Sequence, residues 1–362
     1  MNWFRKTIFS SRFWVSGNKF SSDRSSLTAT VVIPAWNEQD FIADTIRSIQ
    51  NSSYPVEIIV ANDNSTDRTS EIAKSFQGVR VIDIATNQGS KSKALNFAIP
   101  YIDTDIFICV DADTTLEANS IDKIMKAFNN ENVYVASGFV VASGGNFWQA
   151  GRRGDYLAGQ HVCKSAQENS NCVLVASGCF FAIRFDYLKT HNFNERTLAE
   201  DMDLTWQAIE DGYDVAFVQD AFCYVVDPDS WYLYDKQMSR WFCGFFQNIK
   251  QRNFNLFSKN PKLGIVVYAY LLLSLVGVPA MLTALIIYPL NSISFLAIGY
   301  LLLAVTSMYS GIKHDTLSNV IFYPYYIIML FAIGIINYYI FIKCMYREFF
   351  TKNTLTTWVK GH

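Results

Sequence analysis

The chain has 362 residues, 51% of them hydrophobic and 15% aromatic, with a formal net charge of -2. That hydrophobic share is high for a purely soluble protein, and the near-neutral charge gives no basic surface for nucleic acid. The seven cysteines (109, 163, 172, 179, 223, 243 and 344) form no CxxC pair and no ligand-like spacing with the four histidines, so they read as reduced cytosolic thiols without structural zinc.

In chain order, residues 1–27 come first. Trp3, Phe4, Ile8, Phe9, Phe13 and Trp14 alternate with Arg5, Lys6 and Arg12 but build no long apolar run. The pattern fits an interfacial helix lying on a bilayer better than a signal peptide, with a frayed aromatic tail as the alternative. Residues 21–26 read as a flexible linker. The β-branched run at 28–34 then predicts a strand, and a polar helical pattern starts near Asp40. Further strands are predicted at 57–61, 79–84 and 106–110, with helices at 67–75 and 91–98. Strands alternating with amphipathic helices imply a Rossmann-like α/β domain with a mostly parallel sheet and helices on both faces. Ligands bind such sheets beyond the carboxyl ends of the strands, and the polar motifs sit at those ends.

The first motif, Ile33-Pro34-Ala35-Trp36-Asn37-Glu38, closes the first strand. Asn62-Asp63-Asn64-Ser65-Thr66-Asp67 follows the second and serves equally as a turn and helix cap. In Asn87-Gln88-Gly89-Ser90-Lys91-Ser92-Lys93, a lysine stands at a helix start, suited to a diphosphate or simply solvated. Asp111-Ala112-Asp113 follows a buried strand; residues two apart on a strand share a side, so both carboxylates are expected to converge on one hard divalent cation, Mg²⁺ or Mn²⁺. In Ser177-Gly178-Cys179, small residues leave the backbone open to close approach, or simply begin a buried strand. Ala199-Glu200-Asp201 opens an amphipathic helix, where Asp201 taken alone reads as a cap. Gln237-Met238-Ser239-Arg240-Trp241 sets a guanidinium beside an aromatic ring, which by itself reads equally as a snorkelling Arg and a belt Trp on an interfacial helix.

Three apolar stretches follow, at about 264–290, 293–312 and 320–345, each reaching the roughly 20 residues that cross a bilayer as a helix. Lys250, Arg252, Lys259 and Lys262 precede the first and place the α/β domain in the cytoplasm. Three spans would export the C-terminus, whereas Lys343, Arg347, Lys352 and Lys360 favour keeping it inside. One stretch is therefore expected to be re-entrant or broken, with Gly277-Val278-Pro279 the first place to look.

In their order these motifs resemble the processive branch of the family 2 glycosyltransferases, which includes chitin, hyaluronan, cellulose and poly-N-acetylglucosamine synthases. Asn62, Asn64, Ser90 and Ala199 depart from the commonest forms of the family's elements. The resemblance implies a GT-A fold over 28–230, interfacial helices over 231–262, about three transmembrane helices over 263–345 and a tail at 346–362. It implies donor contacts from Pro34, Ala35, Asn37, Glu38, Asp63, Lys91, Asp111, Asp113, Gln237, Arg240 and Trp241, with the metal on Asp111 and Asp113. Gly178, Cys179 and Trp241 would meet the acceptor, and Asp201, beside Glu200, would be the base. The expected activity is inverting transfer from a UDP-sugar, with UDP-N-acetylglucosamine preferred, to a growing glycan at the plasma membrane. Transfer of one sugar to a polyprenyl-phosphate lipid is the alternative, and a non-enzymatic transporter or scaffold the remote one. No nucleic-acid partner is expected; linkage, oligomeric state and accessory subunits are not encoded in any motif.

Overall fold

The structure is a computed structural model that describes residues 27–294, 296, 298–299, 301–302, 305, 323–351 and 354–355. The amphipathic segment expected at the N-terminus and most of the apolar stretch at 293–312 lie outside the described residues.

Strand β1 (Ala29–Ala35) is built from β-branched residues whose side chains are buried on both faces of the sheet, the pattern of a central parallel strand. It pairs in parallel with β2 (Glu57–Asn62) and β4 (Ile106–Val110), and β2 pairs with β3 (Val79–Asp83). Helices α1 (Ile42–Gln50), α2 (Thr69–Lys74) and α3 (Lys91–Ala98) supply the crossovers. After a short β5 (Thr114–Leu116) and α4 (Ser120–Ala127), the chain forms the long β6 (Val133–Ser143), helices α5 (Phe147–Ala158) and α6 (Ser165–Asn169), β7 (Phe180–Arg184) and α7 (Phe185–Thr190). Helix α8 (Glu200–Glu210) and β8 (Asp214–Val226) complete an eight-stranded sheet of order β3-β2-β1-β4-β7-β6-β8-β5. The sheet is mixed but mostly parallel, as expected: six strands share one direction, while β7 runs antiparallel between β4 and β6, and β5 antiparallel beside β8. That reversal brings the start of β7 to the carboxyl end of β4, where Asp111 N–H donates to the Cys179 carbonyl at 3.2 Å.

Helix α9 (Trp231–Gln251) carries the Gln-x-x-Arg-Trp motif and joins the core through buried Tyr234, Met238, Cys243, Phe245, Phe246 and Ile249. Its Gly244 lies against the entrance to α8: a Cβ there would stand 2.6 Å from the Ala199 Cβ. Gln247 Oε1 accepts from Leu198 N–H at 3.0 Å, and Asn248 Nδ2 donates to the Ala199 carbonyl at 3.1 Å. Just beyond α9, Arg252 pairs with buried Asp203 at 2.6 Å and Glu210 at 2.8 Å.

A short α10 (Leu256–Lys259) leads to α11 (Pro261–Ile287), which starts with Pro at its first turn and the Asn260 side chain as cap. Among the described residues it is the one helix long and apolar enough to cross a membrane, and its apolar window is not buried against protein. It runs unbroken through Gly277-Val278-Pro279, so the break expected there is absent. The third apolar stretch forms α12 (Tyr323–Phe350), whose later turns lie along α9 with Ile333, Ile340, Phe341 and Cys344 buried. Polar anchors fix it: Tyr234 Oη donates to Asn337 Oδ1 at 2.7 Å, Gln247 Nε2 to Glu348 Oε1 at 3.1 Å, and Lys343 pairs with Asp235.

Candidate active site

At the carboxyl end of β1 and β2, two turns interlock. Asn37 adopts a left-handed backbone (φ 55°) and its Oδ1 accepts from Thr66 N–H at 2.8 Å, while its own N–H donates to Ser65 Oγ at 3.0 Å. Glu38 is buried and its N–H donates to Thr69 Oγ1 at 2.7 Å. Asn64 is also left-handed (φ 55°), a region that asparagine tolerates better than most residues. Asn62 donates to Asp83 Oδ1 at 2.8 Å. Between these turns sits Asp63, 6% exposed, with Oδ1 accepting from Gln88 N–H at 2.7 Å. Burial raises its pKa against the pull of the Gln88 and Gly89 amides and of Lys93. Pro34 and Ala35 flank it across the β1–β2 pairing, and the Ala35 carbonyl accepts from Asp63 N–H at 2.8 Å.

Ser90 caps α3, its hydroxyl accepting from Lys93 N–H. Lys91 is thereby the first residue of the helix and points inward, its side chain 10% exposed. Its ammonium pairs with Asp111, donates to the Gly178 carbonyl at 2.9 Å and lies 3.9 Å from Glu200 Oε1. Burial works against its charge, but Asp111 and Glu200 outweigh it and hold Lys91 protonated, well above its usual range. Burial also raises the Glu200 carboxyl to about 7, with Lys91 opposing and Asp201 adding to the rise.

Asp111-Ala112-Asp113 lies in a turn, with Thr114 N–H donating to the Asp111 carbonyl at 3.0 Å. The strand alternation expected to align the two carboxylates is therefore not what relates them; the turn is. Burial raises the Asp111 carboxyl; Lys91 opposes this and the Asp113 charge adds to it. An all-oxygen pair of mutually repelling carboxylates fits a hard divalent cation. Among the described residues no third His, Cys, Asp or Glu completes the set, so diphosphate and water oxygens would have to.

Gly178 separates Lys91 from the base candidate. A Cβ at Gly178 would lie 2.8 Å from Asp201 Oδ2 and 3.3 Å from Lys91 Nζ, so only glycine leaves this wall open. Asp201 does not cap α8: the cap position is Ala199, which makes no side-chain bond, and Asp201 Oδ1 accepts from Met202 N–H at 2.8 Å. Cys179 Sγ lies 4.0 Å from Cys223 Sγ. Arg240 of α9 is near enough to draw down the pKa of both Asp111 and Glu200. Trp241 stands behind it with the Arg152 guanidinium 4.6 Å from its ring centre, and the buried Gln237 Oε1 has no hydrogen-bond partner among the described residues.

The structure thus gathers Lys91, Asp111, Gly178, Glu200, Asp201 and Arg240 into one cluster, with the Asp113 charge acting on Asp111 and Asp63 bonded to Gln88 in the loop that leads to Lys91. Asn37 and Glu38 hold the neighbouring turns together. Sequence reasoning missed Arg152, 1% exposed and paired with Asp227 at 3.5 Å, and Gly244, which lets α9 reach Ala199. It also missed Lys164, buried under Ser177. None of these carries a local pattern; each becomes visible only through its remote partner.

Residues 30–191 match the family described as glycosyl transferase family 2. The chain is 28% identical over 225 residues to probable glycosyltransferase YdaM of Bacillus subtilis, covering 59% of this chain and 54% of that one. It is 24% identical over 281 residues to poly-beta-1,6-N-acetyl-D-glucosamine synthase of Staphylococcus epidermidis, covering 69% and 68%. The chain therefore spans little more than half the length of the first of these relatives. Among solved structures, the mannosyltransferase PcManGT from Pyrobaculum calidifontis, in complex with GDP-Man and Mn²⁺, superposes with a TM-score of 0.65 at 18% identity, covering 94% of this chain and 93% of that one. That likeness shows the GT-A-type fold.

Proposed function

Because residues 30–191 match glycosyl transferase family 2 and the fold is GT-A-like, we propose an inverting, membrane-bound transfer of a sugar from a UDP-sugar to a growing glycan. The observation that carries this reading is the cluster at the end of β4, where Lys91, Asp111 and Arg240 meet the Glu200-Asp201 helix start across the bare backbone of Gly178. Asp63 and the turns around it would hold the nucleotide, and Lys91 and Arg240 would face its diphosphate.

The acceptor hydroxyl oxygen attacks the anomeric carbon on the face opposite the leaving group. The bond from that carbon to the diphosphate oxygen breaks, its electron pair departs with UDP, and Asp201 takes the hydroxyl proton. Asp111 and Asp113 would hold Mg²⁺ or Mn²⁺, which would offset negative charge on the diphosphate. Lys91 and Arg240 contribute fixed positive charge to the same end, and Trp241 offers a ring to the acceptor sugar. The exposed apolar surface of α11 suits a lipid bilayer, and the basic residues before it keep the domain cytoplasmic. The relative named for poly-N-acetylglucosamine synthesis supports N-acetylglucosamine as the sugar, and polymer as the product.

The test is a screen for UDP release across nucleotide sugars with Mg²⁺ or Mn²⁺, followed by mass spectrometry of the product. A ladder of N-acetylglucosamine oligomers is expected. A single lipid-linked sugar would overturn polymerisation, and no release from any donor would overturn the enzyme.

A further inference from the structure

Between α5 and α6 the chain makes one π-helical turn, Gly159–Lys164, a rare geometry that concentrates at functional sites. Facing it, β6 shifts register against β8 between Ser137 and Phe139, and such bulges re-aim side chains. The two irregularities are joined. Gln160 pairs with both backbone atoms of Val140, accepting from N–H at 2.9 Å and donating to the carbonyl at 2.7 Å. Lys164, 6% exposed, donates to Ser137 Oγ at 3.2 Å and to Ser177 Oγ at 2.8 Å. Ser177 N–H donates to the same Ser137 hydroxyl at 3.0 Å.

Ser177 immediately precedes Gly178, whose carbonyl is held by Lys91 from the other side. The wall of the site is thus pinned between Lys91, its side chain 10% exposed, and buried Lys164. Lys91 has carboxylates to offset its burial, whereas the hydrogen bonds of Lys164 among the described residues go to neutral hydroxyls, a costly way to bury an ammonium. An apolar side chain would fill the same volume without that cost, so the charge itself points to a role. The titratable groups that face it are Asp201 from α8, Cys179 from the Gly178 loop and Cys223 from β8. The Phe217 ring of β8 lies 5.0 Å away.

We propose that Lys164 is a positioning residue for the transfer: its ammonium holds Ser177, and through it Gly178, where the Asp201 carboxylate stays open to the acceptor hydroxyl. This rests on the reaction proposed above. Burial lowers the Lys164 pKa to about 8, so the clamp carries its charge below that pH and loses it above. An alkaline fall in kcat follows.

The experiment uses the full chain in lipid nanodiscs with Mn²⁺ and each nucleotide sugar of the screen, UDP-N-acetylglucosamine first, comparing wild type, Lys164→Met and Ser177→Ala. Lys164→Met is expected to lose roughly tenfold or more in kcat with donor KM within about threefold, and to lack the alkaline fall of wild type. Ser177→Ala, which keeps the lysine, is expected to lose less kcat and to retain the fall. Wild-type kcat in Lys164→Met, or an unchanged alkaline limb, overturns the inference alone. Should Lys164→Met not fold, wild-type kcat in Ser177→Ala overturns it. A wild type inactive with every donor overturns the reaction beneath it.

Discussion

The two halves of the site are built differently. Around Asp63, polar side chains satisfy neighbouring backbone groups: Asn37 holds Thr66, Glu38 meets Thr69, and Asn62 meets Ser65 and Asp83. Around Gly178, charged groups from α3, α8, α9 and the turn after β4 face one another, with Lys91 and Glu200 largely shielded and Asp111 in partial contact with solvent. The first half is a set of turns that would hold their shape without a ligand. The second stores electrostatic tension that a diphosphate, a cation and an acceptor would relieve, as expected where charge moves during reaction.

The sharpest way to test that contrast is Asp201→Asn. It should lower kcat by ~10²–10⁴ while leaving thermal stability and UDP binding close to wild type, because the hydrogen bond its carboxylate accepts among the described residues is the local one from Met202 N–H. Full turnover in this variant would remove the base from the acceptor half. Next in size is Lys91→Met, which strands Asp111 and Glu200 without their shared cation. A loss of about 3 kcal/mol in denaturant unfolding is expected, the low end for breaking a buried pair because Asp111 keeps some solvent contact; a change below about 1 kcal/mol would mean that the cluster is solvated.

Glu200 gives the pH test. Its carboxyl has a raised pKa, about 7 when folded against 4.5 for the free group, so between these values the unfolded chain ionises first. Stability is therefore lost as pH rises through that window. Thermal melts of donor-free Glu200→Gln should show an advantage over wild type of about 1–3 kcal/mol above pH ~7, vanishing below pH ~4.5. The reverse order would mean that Lys91 dominates Glu200. Gly244→Ala should cost about 1–3 kcal/mol by overpacking and reduce kcat, because the new methyl meets Ala199 at the start of α8. The smallest effect belongs to the donor half: Asn37→Ala gives up the bond to Thr66 and a tolerated left-handed backbone for ~1–2 kcal/mol, raising donor KM with kcat little changed.

The strands and crossover helices were legible because their signals are local: β-branched runs such as 29–35 extend, and Ser90 caps the helix that follows it. The motif residues were legible for the same reason, each lying just after an element end. The reversal of β7, however, has no local mark, since Phe180–Arg184 reads like any buried strand and only its pairing with β4 and β6 gives it direction. The Asp-Ala-Asp turn was likewise read as strand because its hydrogen bond to Thr114 is not written in composition.

The two apolar helices α11 and α12 divide in the same way. Both were found from hydrophobic length alone, yet only packing distinguishes them. One leaves its apolar window uncovered, while the other is anchored along α9 by Asn337, Lys343 and Glu348. The sequence by itself determined the α/β domain, the turns around Asp63, the carboxylates at 111, 113 and 201 and the lysine at 91. Tertiary structure alone decided that Lys91 sits between Asp111 and Glu200, that Gly178 opens onto Asp201, and that Lys164, Arg152 and Gly244 stand behind them. The physical reason is range. Capping and turn formation act over a few residues of chain, whereas the field at a buried charge depends on every group that folding brings within a few ångströms.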